Sequence, residues 1–368
     1  MYALKTIFDQ RLKFIMTTCG MALCIMLMLF LLSVYRGVYV GSLGYVTSCN
    51  ADLWILQRNA TNILRTTSFI RTDQRELLQS IPGISSVSPV LIINGTVRFK
   101  DRSGTVYLTG FNPANGNGGP PKIAEGNMLT ANDQIILDQS FAAKYNIHIN
   151  DRIRIKDDSL TVVGLSSGTN MFVIQYAFIT LAKAHSLLGF ANIISAYLVK
   201  VREGESKQAI ISRIYAAVPD INVFDRTTFI KNNIKEMESG ILPLLYMIAI
   251  IGAIVLTAIL SLILSINVLE RRKDFAIMKA LGSPKGFLPG LIIEQSMILI
   301  FSGLAVGIIF FFPLIRVLEK ISPEVSAVSS STQVLTVCLG AVIISLISSI
   351  GPIRKLNRIY PLEAFGKE

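Results

Sequence analysis

Residues that could perform acid–base, nucleophilic or metal chemistry are few in this chain, and none stands in a pattern that such chemistry requires. The two histidines, His148 and His185, lie apart with no second ligand beside either. Of the four cysteines only Cys49 lies outside the long apolar runs, so no disulfide can form outside those runs. The phosphate-binding GxxxxGKS/T, hydrolase GxSxG, zinc-protease HExxH and CxxC motifs are absent. We therefore predict a chain that binds no metal or cofactor and is not itself an enzyme.

A single carboxylic acid, Glu294, interrupts the start of an apolar run. Carboxylates inside membrane-spanning segments are costly and are often functional, which makes Glu294 a candidate coupling or proton site. The alternative is a carboxylate only about two turns from one membrane face, hydrated or paired there. Gly303 and Gly307 in the same run form a GxxxG pattern, which permits close packing of two helices.

The most unusual stretch is LERRKDFAIMKALGSPKGF, residues 269–287, which separates two apolar runs. Residues 270–281 contain no helix breaker, and Gly282 followed by Ser283 and a proline is a helix stop signal. The pattern predicts one short amphipathic helix.

On that helix Phe275, Met278 and Leu281 fall on one stripe, and basic residues 271–273 fill the first turn. One interpretation is an interfacial helix that lies on anionic lipid and fixes the membrane topology. The other is a helix that presents its apolar face to a groove on a cytosolic partner. Composition alone leaves both open.

The elements around this segment are predicted to span a membrane. Charged residues make up only 16% of the chain, against about a quarter in soluble proteins. Four long stretches carry no charge: residues 14–35, 239–269, 295–315 and 325–353. Each is at or above the roughly 20 residues that a helix needs to cross the hydrocarbon core. The first is too long for the apolar region of a signal peptide and is followed by no cleavage pattern.

The net charge of +11 does not indicate nucleic-acid binding, because the basic residues cluster at the ends of the spans. Twelve of them are expected on one side: Lys5, Arg11, Lys13, Arg271, Arg272, Lys273, Lys279, Lys285, Arg354, Lys355, Arg358 and Lys367. The positive-inside rule therefore places both termini and the segment after residue 269 in the cytoplasm. The long region 38–238 is then external.

That external region alternates β-rich and helical patterns. Strand–helix–strand patterns at its two ends predict a split α/β subdomain, interrupted by a β-rich insert at about 113–195. The first span has no breaker before Gly41 and is expected to continue as a helix to about Thr47, beyond the membrane. Residues 226–238 could pair with it, so we predict a stalk of two helices beneath an α+β domain.

The predicted boundaries follow from these patterns. They are 1–37 for an amphipathic N-terminal helix and the first span, 38–238 for stalk and external domain, 239–269 for the second span, 270–286 for the cytoplasmic helix, 287–315 for the third span, 316–330 for a short external loop, 331–353 for the fourth span and 354–368 for a cytoplasmic tail.

The stretch from Glu270 to Gly282 resembles, position by position, the cytoplasmic coupling segment of FtsX-like and MacB-type permeases of ABC transporters, E-R-R/K-x-D/E-F/I-A-I/L-M/L-R/K-A-L/I-G. Residues 3–23 resemble the N-terminal helix and first span of the family. Residues 137–155 resemble a strand–helix–strand unit of its external domain, with Asn150-Asp151 where Gly-Asp is usual.

Two further features carry the same resemblance. The third span of the family usually carries a glutamate and glycines, as Glu294, Gly303 and Gly307 do here. The tail GPIRKLNRIYPLEAFGKE matches the family ending with P-x-E-A, here Pro361, Glu363 and Ala364.

The resemblance implies a permease of the type VII ABC architecture without a fused ATPase: a dimer, a homodimer in the simplest case, in the bacterial inner membrane. A separate cytosolic ATPase dimer would bind ATP and Mg²⁺, and its closure would move the spans and the external domain (mechanotransmission). The residues assigned to ATPase coupling are Glu270, Arg271, Arg272, Phe275, Met278, Lys279, Leu281 and Gly282, of which Phe275, Met278 and Leu281 are expected to contact the ATPase.

The leading hypothesis is export of a lipophilic or periplasmic substrate with a periplasmic adaptor and an outer-membrane channel. It comes from the likeness of the region beginning ADLWILQ, residues 51–57, to adaptor-dependent, glycolipid-exporter-like permeases. One alternative is a regulator that transports nothing and transmits ATPase strokes to a periplasmic cell-wall enzyme. Another is a membrane receptor with an external ligand-binding domain and no ATPase partner.

Overall fold

The structure is a computed structural model that describes residues 11–171, 174–240, 242–284, 286–325 and 327–360. Pro361, Glu363 and Ala364 of the family-like tail, and the first ten residues, lie outside those ranges. The described helices are α1 Arg11–Ser48, α2 Gln74–Ser80, α3 Gln139–Tyr145, α4 Leu181–Leu188, α5 Lys207–Ala217, α6 Arg226–Glu238, α7 Leu242–Glu270, α8 Arg272–Ala280, α9 Phe287–Ile321 and α10 Ser331–Asn357.

The strands all lie between α1 and α6. They are β1 Leu53–Gln57, β2 Ile70–Arg71, β3 Ile84–Phe99, β4 Arg102–Phe111, β5 Lys122–Gly126, β6 Gln134–Asp138, β7 Arg152–Ile155, β8 Asp158–Ser167, β9 Gln175–Thr180, β10 Ile193–Ile194, β11 Ala196–Val201 and β12 Ile221–Asp225.

The chain divides into two compact units. The membrane unit holds α1 up to Tyr35, Pro243–Leu318 and the residues from Ala327 onward. The extramembrane domain holds Arg36–Leu242 together with Glu319–Ser326, at the end of α9 and the start of the loop after it. Four helices, α1, α7, α9 and α10, are long and apolar enough to cross a membrane. The prediction of four transmembrane helices and an α+β domain is confirmed.

Two spans are longer than their uncharged runs. We expected the third to end at residue 315 and the fourth at 353, where charged residues begin. The helix α9 instead continues through the charged residues to Ile321, and α10 continues to Asn357. Loss of apolar character marks the end of the hydrocarbon core rather than the end of the helix, because charged side chains are compatible with helix outside it.

Serine hydroxyls join the spans inside the membrane unit. The buried Ser296 hydroxyl of α9 lies 2.6 Å from the Ser345 hydroxyl of α10 and donates to the Ser345 carbonyl at 2.9 Å. Ser348 donates to the carbonyl oxygen of Thr257 in α7 at 3.1 Å. Short polar side chains of this kind allow helices to pack closely and bond across their interface.

The extramembrane domain is built on one large sheet with strand order β12-β1-β11-β3-β4-β9-β6-β8-β5. The strand β7 pairs with both β3 and β8. The strands β3, β4, β9, β6, β8 and β7 therefore form a closed ring. The ring is a small β-barrel, and its inward-facing side chains form an apolar core that includes Leu108, Ile153 and Ala177.

The barrel begins earlier in the chain than the predicted β-rich insert. We placed the start of the insert at residue 113, but β3 and β4, which end at Phe111, already belong to the barrel. The reason is the parallel pairing of β4 with β9, strands far apart in sequence. Residue periodicity does not reveal such a pairing, because it reports only which face of a strand is apolar.

The last turns of α1 are part of the core of the domain. Tyr45 is fully buried, stacks on Tyr176 with ring centroids 5.0 Å apart, and donates its hydroxyl to the Gly118 carbonyl at 3.0 Å. The Arg226 guanidinium, at the start of α6, donates to the Thr47 carbonyl at 2.5 Å. The predicted stalk helix thus continues directly into the packed interior of the domain.

Backbone contact holds α1 against the segment 168–170, which follows β8 and which we name the junction segment. A Cβ atom on Gly41 would lie 1.8 Å from the Asn170 carbonyl oxygen, and one on Gly44 would lie 1.8 Å from the Gly168 carbonyl oxygen. No side chain fits at either place, since these distances are far below van der Waals contact. The two glycines are therefore required by packing.

The junction segment also contacts the loop after α9. The Asn170 side-chain amide donates to the Glu324 carbonyl at 3.1 Å and to the Ser140 hydroxyl at 3.0 Å. The Glu324 carboxylate forms an ion pair with Lys144 at 3.0 Å. One short segment thus binds both α1 and the connection between the third and fourth spans.

The buried carboxyl group of Asp138 holds the junction segment through a hydrogen bond from Thr169. The Thr169 hydroxyl donates to Asp138 at 2.9 Å, and the Ser140 backbone N–H donates to the same side chain at 2.9 Å. Burial raises the pKa of Asp138 above its usual value, although both hydrogen bonds act in the opposite direction. The Asp138 side chain also caps the N-terminus of α3, so it fixes α3 and the junction segment together.

Substituting Gly41 by alanine is expected to separate α1 from the junction segment, because the new methyl group would overlap the Asn170 carbonyl. The thermal unfolding midpoint of the detergent-solubilised protein should fall by at least about 4 °C. The matched control is Gly20→Ala in the same helix, where a Cβ would meet nothing within 4 Å. That variant should be at least as stable as the wild type, since alanine favours helix by up to about 1 kcal/mol. Equal midpoints for the two variants would refute the close contact.

A second prediction concerns the cap of α6. The Asp225 carboxylate accepts from the backbone N–H groups of Thr227 and Thr228 at 3.0 and 3.1 Å. The side-chain hydrogen bond from Thr228 is the main reason that the pKa of Asp225 is lowered. The stabilisation is therefore present above the ordinary carboxyl pKa and is lost as the pH falls through the lowered value. Asp225→Ala should speed amide exchange in the first turn of α6 about fivefold at neutral pH, equivalent to about 1 kcal/mol. Asp225→Asn should retain protection, and equal exchange in all three proteins would contradict the role of the cap.

Candidate functional site

The candidate coupling segment is a short helix set off from the second span. The helix α7 ends at Glu270, and Arg271 breaks the helical geometry with φ −105° and ψ 24°. The helix α8 then runs over Arg272–Ala280. It ends where Gly282 adopts a left-handed φ of 84° and the Ser283 N–H bonds back to Met278, the stop that the sequence predicts.

One apolar face of α8 is buried within the membrane unit. Phe275 is only 4% exposed and Ala276 is fully buried, and both belong to the same buried cluster as residues of the four spans. Met278 is partly buried against that cluster. Of the three residues expected to contact an ATPase, Phe275 is not accessible in this chain, because it packs α8 against its own spans; Met278 is partly accessible and Leu281 is exposed.

Polar contacts fix the segment at both ends. Lys279 donates from Nζ to the carbonyl oxygens of Leu356 at 2.8 Å and Ile359 at 3.0 Å, which lie at the carbonyl end of α10. A cation is favourable there because the last carbonyl groups of a helix lack intrahelical partners. Glu270 forms an ion pair with Lys13 near the start of α1 at 2.7 Å. The segment is therefore held between α10 and α1.

The opposite face of the segment is open. Ile277 is 46% exposed and Leu281 is 82% exposed, and the side chains of residues 272–274 are exposed beside them. We name Ile277, Leu281 and residues 272–274 the coupling surface. An exposed leucine beside charged residues on a helix held at both ends offers a small, preorganised apolar contact for a groove on another protein.

The other predicted site residues lie in α9. Glu294 lies on an exposed face of the helix, about two turns after its start at Phe287. This position favours a hydrated or paired carboxylate over a proton site in the interior. Gly303 and Gly307 are buried. A Cβ would lie 3.0 Å from Met21 Cβ at the first and 3.1 Å from the Ala22 carbonyl oxygen at the second.

The GxxxG pair thus packs α9 tightly against α1, a contact that is formed within one chain. Sequence reasoning proposed close packing there without naming a partner. The contacts of Gly41, Gly44 and Asn170 were not predicted from the sequence. The available signal was a pair of glycines three residues apart in an otherwise unbroken helix, which indicates close backbone approach.

No candidate metal centre accompanies these elements. In the parts of the chain that the structure describes, no group of three or more His, Cys, Asp or Glu side chains could hold a metal ion. Cys49 is buried, and burial raises the pKa of its thiol to about 12, so it is present as an unreactive thiol.

Comparison with known proteins agrees with this arrangement. The family model of the MacB-like periplasmic core domain matches residues 14–217, and the model of the FtsX-like permease C-terminal region matches residues 246–361. An uncharacterized ABC transporter permease of Mycobacterium tuberculosis (strain H37Rv) is 23% identical over 370 residues, covering 99% of this chain and 98% of that protein.

Two further proteins show partial similarity. A protein of Staphylococcus epidermidis, named as a candidate permease of a hemin transport system, is 25% identical over 252 residues, covering 67% of each chain. The crystal structure of the periplasmic region of MacB from Actinobacillus actinomycetemcomitans covers 52% of this chain and 95% of that one, with 16% identity and a TM-score of 0.41. On the two family matches, which together cover most of its length, this chain belongs to the MacB/FtsX-type family of ABC transporter permeases.

Proposed function

We propose that this chain is the membrane subunit of an ABC exporter in the bacterial inner membrane. A separate ATPase dimer would bind ATP and Mg²⁺ in the cytoplasm, and the permease would transmit its movement to the extramembrane domain. The observation that carries the proposal is the coupling surface, with Leu281 82% exposed on a segment held at both ends.

The distribution of basic residues supports the proposed orientation of the chain in the membrane. Arg11, Lys13, the basic residues of α8 and the basic end of α10 all belong to the membrane unit. The other unit consists of Arg36–Leu242 and Glu319–Ser326. The positive-inside rule assigns the first set to the cytoplasm. Both termini and the coupling surface are then cytoplasmic, and the extramembrane domain is periplasmic.

The contacts of α8 suggest how a push on the coupling surface would be transmitted. Phe275 and Lys279 bind α8 to the spans and to the end of α10, and Glu270, the last residue of α7, pairs with Lys13 of α1 just before α8 begins. Since these contacts surround α8, displacement of the coupling surface would move the spans rather than bend a loose loop. The helix α1 is continuous to Ser48, about 57 Å at 1.5 Å per residue, and would pass the movement to the domain.

The cargo that we propose is lipophilic or periplasmic, passed on with a periplasmic adaptor and an outer-membrane channel. The name of the staphylococcal relative, which refers to hemin, supports a lipophilic cargo. A second copy of the chain would complete the permease, because an ATPase dimer offers two equivalent docking sites.

The coupling surface can be tested by Leu281→Asp. A carboxylate at the centre of an apolar contact has to be desolvated without a partner, so co-purification of the ATPase subunit with tagged permease should fall at least about tenfold. Membrane insertion and thermal stability should stay unchanged, since Leu281 contacts solvent in the isolated chain. Leu281→Met keeps the apolar contact and should recruit the ATPase normally.

Phe275→Asp tests the buried face of α8 separately from the coupling surface. Because Phe275 is buried, this change should lower the yield of folded protein rather than selectively remove the ATPase. If Leu281→Asp recruits as well as wild type, or if folded Phe275→Asp loses the ATPase while Leu281→Asp does not, the assignment of the coupling surface is wrong.

A further inference from the structure

Two arginines face each other directly on the outside of the barrel. The register of β3 and β7 pairs Arg98 with Arg154, while the preceding pair, Val97 and Ile155, points into the barrel core. Arg152 lies two residues before Arg154 on the same outward face, because side chains alternate along a strand. All three arginines are exposed.

Within the part of the chain that the structure describes, the guanidinium groups of Arg98, Arg152 and Arg154 form no side-chain hydrogen bond and no ion pair. The acidic residues near these strands include Asp101 in the turn between β3 and β4, Asp157 in the turn between β7 and β8, and Asp158 at the start of β8. Asp158 is bound to Lys183 at 2.7 Å. Like charges directly opposite on neighbouring strands destabilise a sheet.

Small hydroxyl residues surround the arginines. In the sheet register Ser103 lies opposite Arg98, Ser159 opposite Arg154 and Thr161 opposite Arg152. The result is a face of guanidinium groups and short hydroxyl side chains across β4, β3, β7 and β8. We name Arg98, Arg152, Arg154, Ser103, Ser159 and Thr161 the arginine face.

The composition of the arginine face distinguishes between classes of partner. Anionic lipid attracts basic residues by charge, but stable binding to a membrane surface usually adds apolar side chains that insert among lipids, and this face offers serine and threonine instead. A face that spans four adjacent strands suits a protein surface, and arginine is enriched in such interfaces. The planar guanidinium group binds carboxylates through two parallel hydrogen bonds.

We propose that the arginine face is a docking site for the acidic surface of a partner protein. Carboxylates of that partner would pair with Arg98 and Arg154 and remove the repulsion between them, so the unfavourable pairing is relieved only in the complex. The inference rests on the proposed function in one respect: the partner is taken to be a protein of the periplasm, where the proposed function places the extramembrane domain.

The test uses the full chain in detergent and a fluorescein-labelled decaglutamate peptide as the acidic probe, with binding measured by fluorescence anisotropy. Arg154→Glu should weaken peptide binding at least about tenfold. The same variant should fold at least as well as wild type, because it creates an opposite-charge pair with Arg98. The double variant Arg98→Gln/Arg154→Gln should lose binding to the same extent.

The matched control removes two exposed positive charges elsewhere, as Arg202→Gln/Lys231→Gln. This variant should bind the peptide within about twofold of wild type. An equal loss in the control would show that only net charge matters and would overturn the proposal. So would displacement of the peptide by about 10 mM inorganic phosphate, which would identify a general anion site.

A membrane surface is the remaining alternative. If phosphatidylglycerol vesicles bind through Arg98 and Arg154 while the peptide does not, the partner is lipid and the proposal is wrong. The assay contains no ATPase, so its outcome is independent of the coupling surface. Leu281→Asp should bind the peptide as wild type does, which separates a failure of this inference from a failure of the proposed function.

Discussion

Helix α1 packs closely against other parts of the chain in both units, and at Gly41 and Gly44 its approach is closer than any side chain would allow. In the membrane unit the glycines belong to the neighbour: Gly303 and Gly307 of α9 admit the backbone of α1 at Ala22. In the extramembrane domain the glycines belong to α1 itself, where Gly41 and Gly44 admit the carbonyl groups of the junction segment. The contacts at Gly41 and Gly44 fix the position of α1 in the domain, because no rotamer change can relieve an overlap of a side chain with a backbone carbonyl.

These contacts give the proposed mechanism a physical basis. We propose that a helix uninterrupted from Arg11 to Ser48, and held within each unit, would pass a displacement along its length. The contact between Asn170 and Glu324 adds the connection between the third and fourth spans to the same junction segment. On this account the domain would respond to the positions of two spans at once, and the coupling surface would be the place where force enters.

Much of the architecture could be predicted because it depends on local composition. Uncharged runs identify spans, since a charge in the hydrocarbon core is costly, and the pattern from Glu270 to Gly282 is specific enough to indicate the family. The burial of Phe275 could not be predicted in this way. The helix α8 has apolar residues on two faces, Phe275 with Met278 and Ile277 with Leu281, and periodicity does not say which face meets the chain's own spans.

Closure of the barrel and the role of the junction segment were missed for a related reason. Both arise from contacts between residues far apart in sequence: β4 with β9, β3 with β7, and Gly41 with Asn170. The periodicity of a sequence shows on which side of its own helix or strand a residue lies. It does not show which distant helix or strand packs against that side, because that depends on the topology of the fold. A glycine in a helix signals such a contact only once its neighbour is known.

The central claim is that α1 transmits movement as one rigid helix, and hydrogen–deuterium exchange of residues 166–175 in the reconstituted permease–ATPase complex tests it most directly. In the wild type, ATP with vanadate should change exchange in this segment several-fold. Val40→Pro removes a helix hydrogen bond at a position that is 45% exposed and breaks the helix. It should abolish the change while the ATPase stays bound, and Val40→Ala should preserve the change. An unchanged wild type, or an equal change in Val40→Pro, would contradict transmission through α1.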